Sequence, residues 1–309
     1  MKRSRMWKPQ YLALIILLLA VLAFLPSFFS AYIVSFLIIT LMFIIMSCSW
    51  NIFCGFTGYI SLGHGMFFGA GAYAFTLALV KGGLPYYYSI ALAAIVAGIL
   101  AFLIGLFLLT IRIRAAYFAM ITLGFNEIFQ AICANSAALG ESTGFTIPPV
   151  PHLHVPYYIL LGVAVVAVGG TYMLDRSHAG LALKAISQDE EVADTMGINV
   201  ARLKIIFFVL SGILPGIVGG IMAWFWSYLD PYQGFNLVFS FQVVIIAILG
   251  GMGTVFGPVI ASVFMTLLIE ILSTNLPHFY NIIFGVLVTI VIIISPRGMN
   301  ALIGKIFHR

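Results

Sequence analysis

Successive apolar stretches of about 20 residues, each long enough to cross a lipid bilayer as one helix, constrain this chain more than any other feature. Only 7% of its 309 residues are charged, which is too few to solvate the surface of a water-soluble fold. The sequence therefore predicts an all-α polytopic membrane protein of about ten transmembrane helices, within a range of roughly eight to ten. The predicted spans lie near residues 10–29, 31–50, 62–80, 88–110, 115–134, 157–174, 204–227, 239–257, 258–275 and 279–295.

The first apolar run, residues 11–29, follows a basic N-terminus and has two interpretations, a cleaved signal peptide or a first span. Pro26, Phe28 and Phe29 stand where a signal peptide needs small residues for cleavage. The run is also longer than a usual signal-peptide core, and further apolar segments follow at once. We therefore predict that this segment is retained as the first span.

Lys and Arg residues set the orientation, because they collect in the cytoplasmic loops of membrane proteins. With a cytoplasmic N-terminus, 13 of the 14 Lys and Arg residues fall inside and only Lys81 falls outside. The 13 inner residues are Lys2, Arg3, Arg5, Lys8, Arg112, Arg114, Arg176, Lys184, Arg202, Lys204, Arg297, Lys305 and Arg309. We expect a single transmembrane domain over residues 1–309, with both termini in the cytoplasm.

One cytoplasmic segment, residues 175–204, holds nine of the 23 charged residues; we call it the charged segment. Ser187 followed by Glu190 has the spacing of a capping box, so a short helix is predicted over about 188–196. Gly197 supplies a left-handed C-cap for this helix. Asn199 is then placed to cap the next helix, which leads into the seventh span.

The charged segment has two interpretations, an anchor that only fixes topology and a docking site for a cytoplasmic protein. Topology requires only Lys and Arg, whereas this segment also contains five acidic residues. Val192, Ala193 and Met196 give its short helix an apolar face that suits a partner's groove. We therefore favour docking.

A resemblance to a known family supports that interpretation. Glu191, Ala193 and Gly197 reproduce the E-A-A-x-x-x-G coupling loop of bacterial ABC importer permeases, with Val192 in place of the first Ala. More specifically, the chain resembles the branched-chain amino-acid permeases of the LivM type. The similar stretches are NIFCGFTGYISLGHGMFFGAGAY (51–73), IRIRAAYFAMITLGFNEI (111–128), GLALKAISQDEEVADTMGINVARLKIIFFVLSG (180–212) and AILGGMGTVFGPVIA (247–261).

The resemblance implies a non-catalytic permease subunit in the inner membrane of a bacterial cell. Its implied partners are a second homologous permease, two cytoplasmic ATPase subunits, an extracytoplasmic solute-binding protein and the lipid bilayer. The sequence contains no G-x-x-x-x-G-K-[ST] phosphate loop, so we expect the partner subunits to hydrolyse ATP and expect no cofactor in this chain. The residues that would couple to the ATPase are Asp189, Glu190, Glu191, Ala193, Met196 and Gly197.

Two positions depart from the family pattern and affect the prediction of the transported solute. Besides Val192, the chain has Glu141 where relatives commonly show a Gly. Neither change affects the class of protein. The resemblance predicts import of leucine, isoleucine and valine, with urea, short amides or other amino acids as alternatives.

Two Gly-rich segments, residues 55–65 and 249–258, interrupt apolar sequence, one in each half of the chain. Such interruptions indicate either broken helices beside a translocation path or close helix packing. A carboxylate within a span, such as Glu127, costs on the order of 3 kcal/mol and needs compensation. Its interpretations are a path-lining group, a proton relay or a hydrogen bond to a neighbouring helix. The candidate path residues are Gly58, Ser61, Gly63, His64, Asn126 and Glu127.

Other functions fit the sequence less well. The net charge of +5 is spread along membrane-flanking segments and not gathered in a stripe, so we expect no nucleic-acid partner. His64 is better placed as a helix-end hydrogen bonder than as a metal ligand, and the three cysteines have no metal spacing. An intramembrane enzyme is the weakest alternative, since Glu127 has no second buried acid beside it. An ion-coupled secondary transporter is the main alternative class.

Overall fold

The computed structural model describes residues 21–111, 113–275, 285–286 and 289. In these residues the regular structure is helical, apart from one antiparallel pair of two-residue strands, β1 (Phe145–Thr146) and β2 (Tyr228–Leu229). The α-helices with described bounds are α1 (Ala31–Trp50), α2 (His64–Thr76), α3 (Tyr86–Thr110), α4 (Ala115–Asn135), α5 (His154–Arg176), α6 (His178–Gln188), α7 (Glu190–Thr195), α8 (Val200–Trp226), α9 (Pro231–Gly234), α10 (Leu237–Gly250) and α11 (Gly257–Asn275). Residues 21–28 are also helical, and two 3-10 turns, Ala137–Leu139 and Glu141–Thr143, lie between α4 and α5. Helices α1 and α2 continue into π-helical turns, Asn51–Gly55 and Leu77–Lys81.

Seven helices in the described part of the chain are long and apolar enough to cross a membrane. They are Ala31–Gly55, Tyr86–Thr110, Ala115–Asn135, His154–Arg176, Val200–Trp226, Pro231–Gly250 and Gly257–Asn275. Each overlaps a predicted span, so the predicted all-helical polytopic membrane protein is confirmed. The span predicted near 239–257 is displaced, because the helical stretch Pro231–Gly250 begins earlier and ends before the second of the two irregular segments. The spans predicted near 10–29 and 279–295 lie mostly outside the described residues, and the total of ten helices stays a prediction.

The span predicted near 62–80 corresponds to α2 and its π-helical turn, which do not belong to the seven. All but one of the 13 residues of α2 are buried, and this helix packs between α3 and α8. Its backbone approaches α8 so closely that a β-carbon on Gly71 would lie 2.1 Å from the carbonyl oxygen of Gly216. A helix enclosed by protein needs no continuous apolar surface, and small residues allow its close approach to α8, which explains its glycines.

The two predicted irregular segments are present as non-helical backbone at residues 58–63 and 251–256; we call them the first and second breaks. The two breaks lie close together. Asn51 belongs to the π-helical turn that precedes the first break, and its side chain contacts the second break directly. Its amide nitrogen donates to the Thr254 carbonyl at 2.7 Å, and its amide oxygen accepts from the Gly253 nitrogen at 2.8 Å. Breaks from both halves of the chain thus meet at one end of the bundle.

The loops form two groups at opposite ends of the helices, as alternating spans require. At the end assigned to the outside, β1 pairs with β2, and Lys81 Nζ donates to the carbonyl oxygen of Ala138 at 2.6 Å. Contacts of the charged segment with the first break lie at the other end. Which of the two ends faces the cytoplasm stays a prediction.

Candidate functional site

Asp189 caps the start of α7, the short helix of the charged segment. Its carboxylate accepts hydrogen bonds from the backbone nitrogens of Glu191 and Val192 at 2.9 and 3.0 Å, which satisfies donors that a helix leaves unpaired at its start. The predicted capping box at Ser187 is wrong. Helix α6 continues through Gln188, and the Ser187 hydroxyl donates to the Lys184 carbonyl inside it. The predicted helix over 188–196 is therefore the six-residue α7.

Gly197 ends α7 in the left-handed conformation, with φ of +86°. Its nitrogen donates to the Asp194 carbonyl at 3.0 Å, and the Ile198 nitrogen donates to the Ala193 carbonyl at 3.2 Å. This pair of bonds is the Schellman motif. Asn199 then caps α8 by accepting from the Arg202 nitrogen at 3.1 Å. Both predicted caps, at Gly197 and Asn199, are confirmed.

The predicted coupling residues divide between two faces of α7. Ala193 is buried and packs in an apolar cluster beneath the segment, and Glu190 is only partly exposed. Asp189, Glu191, Met196 and Gly197 are exposed. The cluster consists of Ile52, Phe56, Leu174, Leu183, Ile186, Ala193 and Val200.

The outer face of α7 combines apolar and acidic groups. Val192 is 49% exposed and Met196, one turn later, is 76% exposed. Residues four apart share one helix face, so the two side chains form one apolar patch. Asp189 and Glu191 are exposed beside it. The arrangement suits a partner that offers an apolar groove with a basic rim.

Tyr59, Glu190 and Lys204 form a network that the sequence analysis did not identify. Lys204 is fully buried, and its Nζ lies 2.8 Å from Glu190 Oε1 and 4.3 Å from the centre of the Tyr59 ring. The Tyr59 hydroxyl donates to Glu190 Oε2 at 2.6 Å. Burial, followed by this hydrogen bond, raises the pKa of Tyr59 above its usual value. The detectable signal was Lys204 itself, a cation that directly precedes an apolar run.

This network compensates a charge that would otherwise be costly inside the protein. Removing one partner of a buried ion pair typically costs about 3–5 kcal/mol, because the remaining charge is left without compensation. The glutamate is 21% exposed at its side chain and the lysine is not exposed. Lys204 therefore depends on the pair more than Glu190 does.

Four of the six predicted path residues are buried. His64 Nδ1 lies 3.0 Å from Ser61 Oγ, and the Asn126 amide donates to the Phe235 carbonyl at 2.8 Å. A β-carbon on Gly63 would lie 2.1 Å from the Thr122 carbonyl oxygen. These four residues, Ser61, Gly63, His64 and Asn126, pack between α2 and α4. Within the described residues, His64 Nε2 and Asn126 Oδ1 have no hydrogen-bond partner.

Gly58 and Glu127 lie elsewhere. Gly58 has φ of +74° and is exposed next to the charged segment. Glu127 is partly exposed on the outer face of α4, beside the exposed Met120 and Ile128. The structure thus separates the six residues into a buried group and two surface positions. In the described part of the chain, no group of three or more His, Cys, Asp or Glu residues could hold a metal ion.

Comparison with known proteins identifies the family. The sequence profile described as "Branched-chain amino acid transport system / permease component" matches residues 32–296. The chain is 26% identical to the high-affinity branched-chain amino acid transport system permease protein LivM of Escherichia coli strain K12, over 94% of this chain and 75% of that protein. The protein of the same name from Salmonella typhimurium is 27% identical, over 84% of this chain and 68% of its own length.

A second type of relative matches a shorter part of the chain. The permease protein LivH of Escherichia coli strain K12 is 24% identical over 52% of this chain and 51% of its own length. No solved structure is significantly similar. Because the family profile covers most of the sequence, the chain belongs to the permease components of branched-chain amino acid transport systems.

Proposed function

We propose that this chain is a permease subunit of an ATP-binding cassette importer that translocates leucine, isoleucine and valine across the bacterial inner membrane. The similarity to two LivM proteins over most of the chain carries this proposal. The chain is a multi-pass membrane protein, and the relatives are transport permeases and not enzymes. Urea, short amides and other amino acids are the alternatives within the class, whereas the LivM and LivH relatives are named for branched-chain amino acids.

The proposed partner in the membrane is a second, homologous permease. LivM and LivH relatives occur in the same organism, which supports a pair of related subunits. Helix α4 supports it physically, because this helix is the least buried of the seven candidate spans and places Glu127 on its outer face. A carboxylate facing lipid is costly, so we infer that this face meets the second permease or a wet path between the two.

The proposed cytoplasmic partners are two ATPase subunits, which hydrolyse ATP for the assembly. The exposed face of α7 supports this docking, since it presents Val192 and Met196 beside acidic side chains. The charged segment would lie in the cytoplasm, with both termini on the same side. An extracytoplasmic solute-binding protein would deliver the solute at the opposite end.

The proposed path runs near Ser61, Gly63 and Glu127. Gly58, a path candidate from the sequence, is exposed next to the charged segment and does not belong to this path. Only Glu127 offers a clean test, because a larger residue at Gly63 would collide with the Thr122 backbone and alter packing. We expect Glu127→Gln to reduce uptake while ATPase docking persists, whereas Glu141→Gln, in an exposed loop, should leave uptake unchanged. Normal uptake with Glu127→Gln would assign this carboxylate to helix packing.

The experiment that tests the solute assignment is uptake into proteoliposomes that contain the complete importer and excess solute-binding protein. Labelled leucine should accumulate, and unlabelled isoleucine and valine should compete with it. Urea and short amides should not compete at the same concentration. Competition by urea or an amide, with none by valine, would show that the importer carries one of the alternative solutes.

A further inference from the structure

The first break is attached to the charged segment by residues that lie far apart in the sequence. Tyr59 belongs to the break, Glu190 starts α7, and Lys204 belongs to the first turns of α8. Glu190 accepts from both of the others through different oxygen atoms, at 2.6 Å from the tyrosine hydroxyl and 2.8 Å from the lysine nitrogen. One carboxylate therefore joins three parts of the chain.

Further contacts connect the same two regions. A β-carbon on Gly58 would lie 3.6 Å from the β-carbon of Ser187. Lys184 Nζ lies 5.2 Å from the centre of the Phe56 ring, just before the break. Phe56 also packs in the same apolar cluster as Ala193. The break therefore rests on both helices of the charged segment, α6 and α7.

The other end of the break is attached to the transmembrane helices. The indole nitrogen of Trp50 on α1 donates to the Ser61 carbonyl at 2.8 Å. The Leu62 nitrogen donates to the Thr122 hydroxyl on α4 at 3.2 Å. A displacement of the break would thus reach α4, the helix that carries Glu127 on its outer face.

We propose that Tyr59, Glu190 and Lys204 fasten the first break to the charged segment, so that the two move as one body during transport. This inference rests on the proposed function, in which an ATPase moves the charged segment. Tyr59 is then a positioning residue. It does not touch the solute, and it transmits movement from α7 through the break to α4.

The first test replaces Tyr59 by Phe in the complete importer. Tyr59→Phe keeps the ring beneath Lys204 and removes only the hydrogen bond to Glu190. The matched control is Tyr157→Phe, which removes a tyrosine hydrogen bond of 2.7 Å to the Leu22 carbonyl, far from the charged segment. Solute uptake and ATP hydrolysis are measured together in proteoliposomes, and the readout is solute transported per ATP.

We expect Tyr59→Phe to assemble with the ATPase and to hydrolyse ATP, but to transport about fivefold less solute per ATP, as loss of a hydrogen bond to a charged group allows. Tyr157→Phe should keep the wild-type ratio. An unchanged ratio in Tyr59→Phe with an active wild type would overturn this inference alone. A wild type without ATP-dependent uptake would overturn the proposed function and this inference with it.

The second test fixes the contact covalently. Gly58→Cys and Ser187→Cys are combined in a background that lacks Cys48, Cys54 and Cys133. Their β-carbon separation of 3.6 Å falls within the range of disulfides. The reduced double variant is the reference, because it carries the same backbone strain at residue 58.

If the break and the charged segment move together, oxidation should form the disulfide and leave most of the uptake in place. Loss of uptake on oxidation, with recovery on reduction, would show that the two regions separate during transport. Failure of the disulfide to form would show that they are not adjacent. Either result would overturn the proposal.

Discussion

Lys204 is a residue whose neighbours decide its effect on stability. Its ammonium group is buried and lies against the Glu190 carboxylate and the Tyr59 ring. By contrast, Lys184 pairs with Asp175 at 2.6 Å where both side chains are more than a third exposed. Water screens such a surface pair, and its contribution is typically about 0–1 kcal/mol.

This contrast predicts an order of stabilities. Glu190→Ala should destabilise the purified protein by about 3–5 kcal/mol, because it leaves a buried cation without its carboxylate. Lys204→Met should cost less, since the remaining Glu190 is partly exposed. Lys184→Ala, the surface control, should cost about 1 kcal/mol or less.

Thermal unfolding of the three variants in detergent measures that order. Equal losses for Glu190→Ala and Lys184→Ala would contradict the burial of Lys204.

At the scale of elements, the short helix α7 depends on its two ends. Asp189 supplies the first cap, and Gly197 supplies the left-handed residue of the Schellman motif. Nothing lies within 4 Å of a β-carbon built on Gly197. A substitution there therefore acts through backbone conformation and not through a steric clash.

We predict that Gly197→Val disturbs α7 by about 1–2 kcal/mol, the usual cost of left-handed backbone for a residue with a β-carbon. Asn tolerates this conformation, so Gly197→Asn is the matched control. The Val variant should insert normally but retain less ATPase on purification and show slower uptake in vesicles. Wild-type uptake with Gly197→Val would remove the support for docking at α7.

The sequence predicted elements better than contacts between them. Hydropathy located the seven candidate spans, because the apolar composition of each stretch is enough to indicate that it lies in lipid. Gly197 and Asn199 were found because caps are local. The prediction of a capping box at Ser187 was wrong because α6 continues past this residue, and the position at which α6 ends depends on tertiary packing. The contact between Tyr59 and Glu190 joins residues 131 apart, and no local pattern encodes such a separation.

At the scale of the whole molecule, charges and loops are sorted to two ends. The strand pair of β1 with β2 lies at one end, and the charged segment lies with the first break at the other. With the spans as predicted, 13 of the 14 Lys and Arg residues fall on the side of the charged segment. The tendency of such residues to collect in cytoplasmic loops therefore predicts that this second end faces the cytoplasm.

This assignment predicts the labelling of two exposed positions. Single cysteines at Ser142 and Thr195, in a background without the native cysteines, should react with a membrane-impermeant reagent from opposite sides. In sealed cells, Ser142→Cys should label at once and Thr195→Cys only after permeabilisation. Labelling of both in sealed cells would mean that at least one span is misplaced.

If a partner ATPase drives this permease, ATP hydrolysis must be the energy source for uptake. Vesicles with the complete importer and the solute-binding protein are loaded with ATP or with a non-hydrolysable analogue, and ionophores then collapse the ion gradients. Leucine uptake should require hydrolysable ATP and should persist with ionophores. Uptake that stops with ionophores and continues without ATP would contradict this prediction and identify an ion-coupled secondary transporter.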